Sequence, residues 1–390
     1  MFSQWQYIWK VLVRELGIWA HRPIYVVGSL VTMIMCTVFY LTFLGQGVPS
    51  DLPIGVVDLD NSSVSRTFSS QLDATQAGKV IHFDTFSEAR DAMQKGNING
   101  FCVLPSGLNA DIQAQRQPTI TFYTNGLYFL GGTLAYKDLL TMVNLTSGAV
   151  HRQVLRMKGF DDDTIMNFLR PIDVDVHMIG NPTMDYGAYL STTLLPGMLE
   201  MVIIILIIYS FGAELKYGTS RHLLRTAGGR MRNAIAGKTL MYTLYFTAIG
   251  LALEIILYDW MNFPLAGSIW NMFLDVFLLV ISSEAVGIFI IGLFPVTRFA
   301  LSIGALFSIL SISLSGFTLP IETAPPYIQG LAWIVPIRHY YLFAVQESIF
   351  ASGFAGWYQE IIHMLLFLLL PYTVHTRLKK AYIYQNYPKN

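Results

Sequence analysis

Six stretches of this chain are each about 20 residues of mostly apolar side chains, the length a helix needs to cross the ~30 Å hydrocarbon core of a bilayer. They run from Ile24 to Leu44, Leu190 to Phe211, Ala234 to Tyr258, Met272 to Phe294, Phe299 to Leu319 and Phe354 to Val374. Lipid offers a backbone no hydrogen-bond partner, so such stretches must fold as helices that pair their N–H and C=O groups internally. Composition points the same way: 13% of residues are charged, against roughly 25% in a soluble domain. A formal net charge of +0 leaves no electrostatic footprint for nucleic acid.

Lysine and arginine orient the spans, because they are retained on the cytoplasmic side. Lys10, Arg14 and Arg22 precede the first span, Lys216, Arg221, Arg225, Arg230 and Arg232 follow the second, Arg298 lies between the fourth and fifth, and Arg377, Lys379 and Lys380 follow the sixth. Six spans with both termini cytoplasmic satisfy every loop. The first span resembles a signal peptide in its basic flank, but its apolar run is too long and no small-residue cleavage site follows, so it reads as a retained anchor. The expected layout is a cytoplasmic segment at 1–23, the first span at 24–44, an extracytoplasmic domain at 45–189 and the remaining spans at 190–374. A cytoplasmic loop at 212–233, outer re-entrant or peripheral helices at 320–353 and a cytoplasmic tail at 375–390 complete it. Leu331 to Phe350 is apolar enough to suggest a seventh crossing, but Pro336, Arg338, His339, Gln346 and Glu347 interrupt it.

The polar insert after the first span is too long for a loop and reads as a folded domain. Strand-like runs at Ile54 to Leu59, Lys79 to Phe83, Gly100 to Leu104 and Thr119 to Tyr123 alternate with helical segments from Val64, capped by Ser62 or Ser63, and from Ser87 to a stop at Gly96. That alternation predicts a small α/β layer domain. From Leu127 to Lys158 the pattern turns helical, with Leu139, Met142, Val143, Val150 and Met157 on one stripe, a rod of about 48 Å. A return strand is expected at Ile172 to Met178. The fold class is therefore a polytopic α-helical membrane protein of six spans with an inserted α/β extracytoplasmic domain.

Motifs for catalysis are missing. Arg232 to Thr239 (RNAIAGKT) ends like a phosphate-binding loop, but Arg232 stands where the tight turn requires glycine and no strand precedes it. The eight histidines are scattered without a metal-binding spacing, and no metal ligand or catalytic residue is assigned. Asp161, Asp162 and Asp163 lack the alternation of a calcium loop and read as a solvated helix start. Cys36 and Cys102 read as free thiols. Ionisable residues inside spans carry more information, since each is costly in lipid unless it faces protein or water. Glu200, after Pro196 and Gly197, and Glu284, beside Ser282 and Ser283, are the candidate pathway residues; Glu254 and Asp275 lie nearer the outer ends.

Four stretches give the order of features a family resemblance. Leu52 to Arg66 (LPIGVVDLDNSSVSR) carries an Asp58-x-Asp60 turn followed by Ser62-x-x-Ser65-Arg66. Glu214 to Thr219 (ELKYGT) closes the second span, Lys238 opens the third, and Ser315, Gly316 and Pro320 mark the outer end of the fifth in SGFTLP. The whole resembles the type-2 ABC exporter permeases that carry a large external domain after their first span. Ser220 to Ala227 (SRHLLRTA) departs from the family's apolar run by being basic. The resemblance implies a bacterial inner-membrane subunit that is not itself an enzyme and binds no cofactor, with ATP and magnesium held by a partner ATPase. Glu214, Gly218, Thr219 and Lys238 would couple that ATPase to the spans. It also implies a second permease copy or paralogue, a periplasmic adaptor as a further partner, and drug-like, lipid or peptide substrates. The competing class is a membrane-anchored receptor or scaffold without an ATPase partner; an intramembrane enzyme is disfavoured because Glu200 and Glu284 lack a nucleophile or metal cluster on their spans.

Overall fold

The computed structural model describes residues 4–45, 47, 50–75, 78–114, 116–126, 129–169, 177–182 and 185–384. Two compact units are present, one formed by residues 1–47 and 178–390, the other by Val48–His177.

The helical unit opens with α1 (Gln4–His21) and α2 (Val27–Phe43). In α1, Val11, Glu15 and Trp19 are buried at intervals of four while Trp5 and Trp9 are exposed, the pattern of an amphipathic helix lying at an interface.

The inserted unit follows. Its elements are β1 (Leu52–Asp58), α3 (Ser63–Asp73), β2 (Gly78–Phe83), α4 (Phe86–Gln94), β3 (Gly100–Leu104), α5 (Leu108–Gln113), β4 (Thr121–Thr124), α6 (Phe129–Met157) and α7 (Asp162–Leu169). The strands form one sheet in the order β2-β1-β3-β4, with β1 parallel to β2 and β3 and β4 antiparallel to β3. β1 is central and apolar on both faces: Ile54 and Val56 pack with Phe68 and Leu72 of α3, while Val57 packs with Ala89 of α4 and Phe101 of β3. The small four-stranded sheet with helices between its strands agrees with part of the α/β reading, with local differences. The Ser62 hydroxyl caps α3 by accepting from the Ser65 N–H, and Thr85 caps α4, so that helix begins at Phe86, one residue earlier than expected. On α6, Leu139 is buried but Met157 is 73% exposed; the apolar stripe ends before the helix does because the sheet it covers has run out. The expected return strand at Ile172 to Met178 falls, apart from His177 and Met178, outside the described residues.

The chain then forms α8 (Tyr186–Lys216), α9 (Ser220–Thr226), α10 (Met231–Ile255), prolonged by a π-helical turn at Ile256–Trp260, and α11 (Ile269–Leu293). It continues with α12 (Thr297–Leu314), α13 (Pro326–Ala332), α14 (Pro336–Ser348), α15 (Phe354–Phe367) and α16 (Leu370–Tyr384). Among the described residues six helical stretches are long and apolar enough to span: Pro23–Phe43, Tyr186–Lys216, Met231–Trp260, Ile269–Leu293, Thr297–Leu314 and Phe354–Tyr384. α8 and α11 form the centre, with 67% and 78% of their most apolar windows buried. Small residues let neighbours close on α8: a Cβ at Gly304 of α12 would lie 2.5 Å from the Ile208 side chain, a separation only glycine permits. Leu331 to Phe350 divides into α13 and the short buried α14, as its prolines and charges predicted. The tail, expected to follow the last span at residue 375, instead continues α16 as helix to Tyr384, and the buried Tyr382 hydroxyl donates to the Phe211 carbonyl at 2.8 Å.

Candidate functional site

The Glu214 to Thr219 motif of the sequence forms the end of α8 and the turn after it. Gly218 sits at φ +70; its N–H bonds the Leu215 carbonyl at 3.3 Å and the Thr219 N–H bonds the Glu214 carbonyl at 3.0 Å. This pair of bonds is the Schellman termination, in which the residue after the cap adopts the left-handed region that favours glycine. The spacing of the motif is thereby explained: the turn folds Thr219 back over Glu214, and its hydroxyl donates to the Glu214 carboxylate.

Around that carboxylate three helices meet. Arg14 of α1 grips Glu214 with two hydrogen bonds, Nη1 to Oε1 at 2.7 Å and Nη2 to Oε2 at 2.9 Å. Lys238 of α10 reaches Glu15 Oε1 at 2.8 Å and Glu214 Oε1 at 3.2 Å. Arg14 Nη1 also donates to Glu15 Oε1 at 2.9 Å, and Arg14 Nε to His222 Nδ1 of α9 at 3.4 Å. Glu15, Glu214 and Lys238 are each no more than 3% exposed. Burial works against the Arg14 charge, but the Glu214 hydrogen bonds and the nearby carboxylates outweigh it and raise its pKa. Two acids against two bases make the cluster neutral, the condition under which buried charge is tolerated. A cavity of about 340 Å³ opens beside it, lined by Arg14, His21, Arg22, Ser210, Glu214 and Lys238 among others.

Of the expected coupling residues the structure unites Glu214, Thr219 and Lys238, with Gly218 shaping the turn. It adds Arg14 and Glu15, which the sequence reading passed over: Arg14 counted there only as a basic flank. Their signal was an acid at the centre of the Val11, Glu15, Trp19 stripe, a charge where an amphipathic helix should be apolar.

The two pathway candidates are separate. Glu284 accepts a 2.8 Å hydrogen bond from Thr243 Oγ1 and borders a cavity of about 320 Å³ lined also by Arg232, Thr239, Tyr372 and His375. Glu200 is fully enclosed, with neither carboxylate oxygen in a regular hydrogen bond, and the Ile337 N–H in the first turn of α14 lies toward it. At the end of α12, Ser315 is buried, Gly316 sits at φ +101, and the Ser315 carbonyl accepts from Arg338 Nη1 at 3.5 Å. A Cβ at Gly316 would lie 3.0 Å from that nitrogen. Pro320 starts the following turn, accepting from the Thr323 N–H at 3.1 Å.

In the sheet unit, Asp58 Oδ1 accepts from the N–H groups of Asp60 and Asn61 at 3.0 and 2.9 Å, and Asp60 accepts from Gly107 N–H at 2.8 Å and Asn109 N–H at 3.2 Å. Ser65 Oγ donates to the Ser62 carbonyl at 3.1 Å, and Arg66 Nη1 to the Asn61 carbonyl at 2.6 Å. The Ser62 hydroxyl, then these backbone donors, hold the Asp60 carboxyl below its ordinary range. This motif fastens the β1–α3 turn to the start of α5. Arg232 to Thr239 lies in the first turns of α10, where the Asn233 and Ala234 N–H groups bond the Arg230 carbonyl at 3.1 and 3.3 Å, and it lacks the glycine-rich loop that cradles a phosphate.

Comparison with known proteins agrees with this architecture. The sequence pattern of the family described as ABC-2 family transporter protein matches residues 24–374. The chain is 28% identical over 162 residues to the probable multidrug ABC transporter permease YbhR of Escherichia coli (strain K12), covering 41% of this chain and 43% of that protein. It is 22% identical over 307 residues to the inner membrane transport permease YhhJ of the same strain, covering 77% and 78%. With six helices among the described residues long and apolar enough to span, and a family match over residues 24–374, the chain belongs to the ABC-2 transporter family.

Proposed function

We propose that this protein is the membrane-spanning permease subunit of an ATP-driven ABC exporter in a bacterial inner membrane, taking its energy from a separate ATPase that holds ATP and magnesium. The observation that carries the reading is the buried Arg14–Glu15–Glu214–Lys238 cluster at the end of α8. It fastens α1, α8 and α10 into one body at the turn where the sequence departs from the membrane, so a push on α9 or that turn is passed to two spans at once. The charge bias of the loops supports a cytoplasmic location for this cluster and both termini, and an extracytoplasmic location for the sheet unit. Glu284, at the wall of a cavity, and Glu200, enclosed against α14, are the residues we assign to the substrate route. A second copy or a paralogue completes it, a periplasmic adaptor is a further partner, and the substrates are drug-like, lipid or peptide molecules, as the name of the YbhR relative suggests for one of these classes.

The test is purification in mild detergent together with transport assays on Glu214→Ala and Gly218→Val. Expected are an ATP-binding protein that co-purifies with the chain, and variants that reach the membrane yet hydrolyse ATP without export. No associated ATPase, or normal export by both variants, would overturn the reading.

A further inference from the structure

Three lone-pair donors that are scattered in sequence converge where α14 meets α15. His339 is fully buried, with Nδ1 2.7 Å from Glu360 Oε2 and Nε2 3.1 Å from the Trp333 carbonyl. The Trp333 carbonyl only accepts, so Nε2 carries a proton, and Nδ1 faces the Glu360 carboxylate. His363, one turn beyond Glu360 on α15, brings its Nδ1 to 3.7 Å from the same Oε2, and that nitrogen is shielded from solvent without a hydrogen-bond partner. Two imidazole nitrogens and a carboxylate oxygen thus face one another within 4.8 Å. A further uncompensated acid lies close by: Asp275 of α11 is fully buried, neither of its oxygens has a hydrogen-bond partner, and it is within electrostatic reach of Glu360.

We propose that His339, Glu360 and His363 bind a zinc-type divalent cation. Two histidines and one carboxylate are a known zinc donor set, leaving a fourth position open, and bond lengths near 2.0–2.1 Å place tetrahedral donors about 3.3 Å apart. The observed 2.7 and 3.7 Å to Glu360 bracket that separation, and the two imidazole nitrogens, within 4.8 Å of each other, reach it by side-chain shifts of up to about 1.5 Å. Trp333 supplies the outer support such sites require, since its carbonyl fixes the tautomer that frees Nδ1. Glu360 and His363 stand at i and i+3 on one helix, the arrangement by which bundles aim two ligands at one ion. An imidazole-rich set selects zinc over magnesium or calcium, which prefer oxygen. Occupancy would tie the turn before α14 to α15 and give the Glu360 carboxylate a cationic partner. The proposal stands on these contacts alone and does not depend on the transport reading.

The experiment uses the full chain in detergent, purified on a tag free of histidine, stripped with a chelator and titrated with zinc against a chromophoric competitor, with metal content measured by mass spectrometry. Expected are about one zinc per chain, tetrahedral cobalt(II) absorption on substitution, and a zinc-dependent rise in melting temperature. His363→Ala, at a partly exposed position where the fold should survive, should weaken zinc by at least about 100-fold, beyond the usual 10–100-fold for an outer-shell loss, and abolish that rise while its metal-free melting temperature stays near the parent's. His375→Ala should bind as the parent does. Absence of stoichiometric zinc, undiminished binding in His363→Ala, or magnesium binding as tightly as zinc would each overturn the proposal.

Discussion

A buried carboxylate that loses its cation keeps its charge without solvent to stabilise it, which makes Lys238 the most revealing single residue of the cluster. Lys238→Met should lower stability by about 3–5 kcal/mol, since it leaves Arg14 alone to face both Glu15 and Glu214. Adding Glu15→Gln should recover most of the loss, because the remaining Arg14–Glu214 pair is neutral. Melting curves of the single and double variants in detergent check both statements, and equal destabilisation in the two would show that packing, not charge, is at stake. Asp60 gives a pH-dependent counterpart in the sheet unit. Its folded pKa lies below the ordinary value, so its contribution is present above that value and is lost as pH falls through the folded one. Asp60→Asn should therefore reduce amide-exchange protection at Gly107 and Asn109 at neutral pH, with the difference from the parent shrinking below about pH 4. Residues of this kind were unequally legible. Glu214, Gly218 and Thr219 were legible through the family resemblance, whose spacing the turn geometry explains, whereas Arg14 and Glu15 act through partners 200 or more positions away, a pairing no local pattern encodes. The Glu360 and His363 pair went unread, because an acid and a histidine at i, i+3 occur on many helices, and His339 joins it only through the packing of α14 on α15.

At the scale of elements, periodicity and length placed every span, because a bilayer imposes one length and one hydrogen-bonding solution on each. The ends were less legible. α8 and α16 run further than their apolar cores, the first because Asp185 caps it by accepting from the Gly187 and Ala188 N–H groups at 2.6 and 3.2 Å, the second because Tyr382 anchors it to α8. Contact between α8 and α14 bears on transport. Glu200 is sealed by the first turn of α14, and Pro196, one turn before it, removes a backbone donor from α8. Separation of α14 from α8 would expose the carboxylate. Glu200→Gln, which keeps size but removes charge, should then change export rate or substrate range with ATPase binding intact, while Glu200→Leu should also lower the melting temperature. A silent Gln variant beside a destabilised Leu variant would confine Glu200 to packing.

For the whole molecule, the loop charges make a single topological statement. In a chain lacking Cys36 and Cys102, a cysteine at Asn125 in the sheet unit should react with an impermeant thiol reagent on intact cells, and one at Arg225 in α9 should not. The opposite labelling would invert the molecule and move the charged cluster to the outside. The native thiols must go first: Cys36 lies in the first span, while Cys102 is buried in β3, where desolvation pushes its pKa up to about 12.

The charged cluster also sets a timetable for synthesis. Arg14 and its partner Glu214 are separated by 200 residues, and Glu15 from Lys238 by 223. At ~5–20 residues per second, α1 leaves the ribosome about 10–40 s before the carboxylate it will grip. Throughout that interval its acid and base have only each other, and the half-apolar helix must wait on the membrane surface. Lys238, arriving last, closes the neutral set and commits α1, α8 and α10 together. Folding intermediates trapped before the third span is released should therefore hold α1 in a protease-sensitive state, and those trapped after it should not.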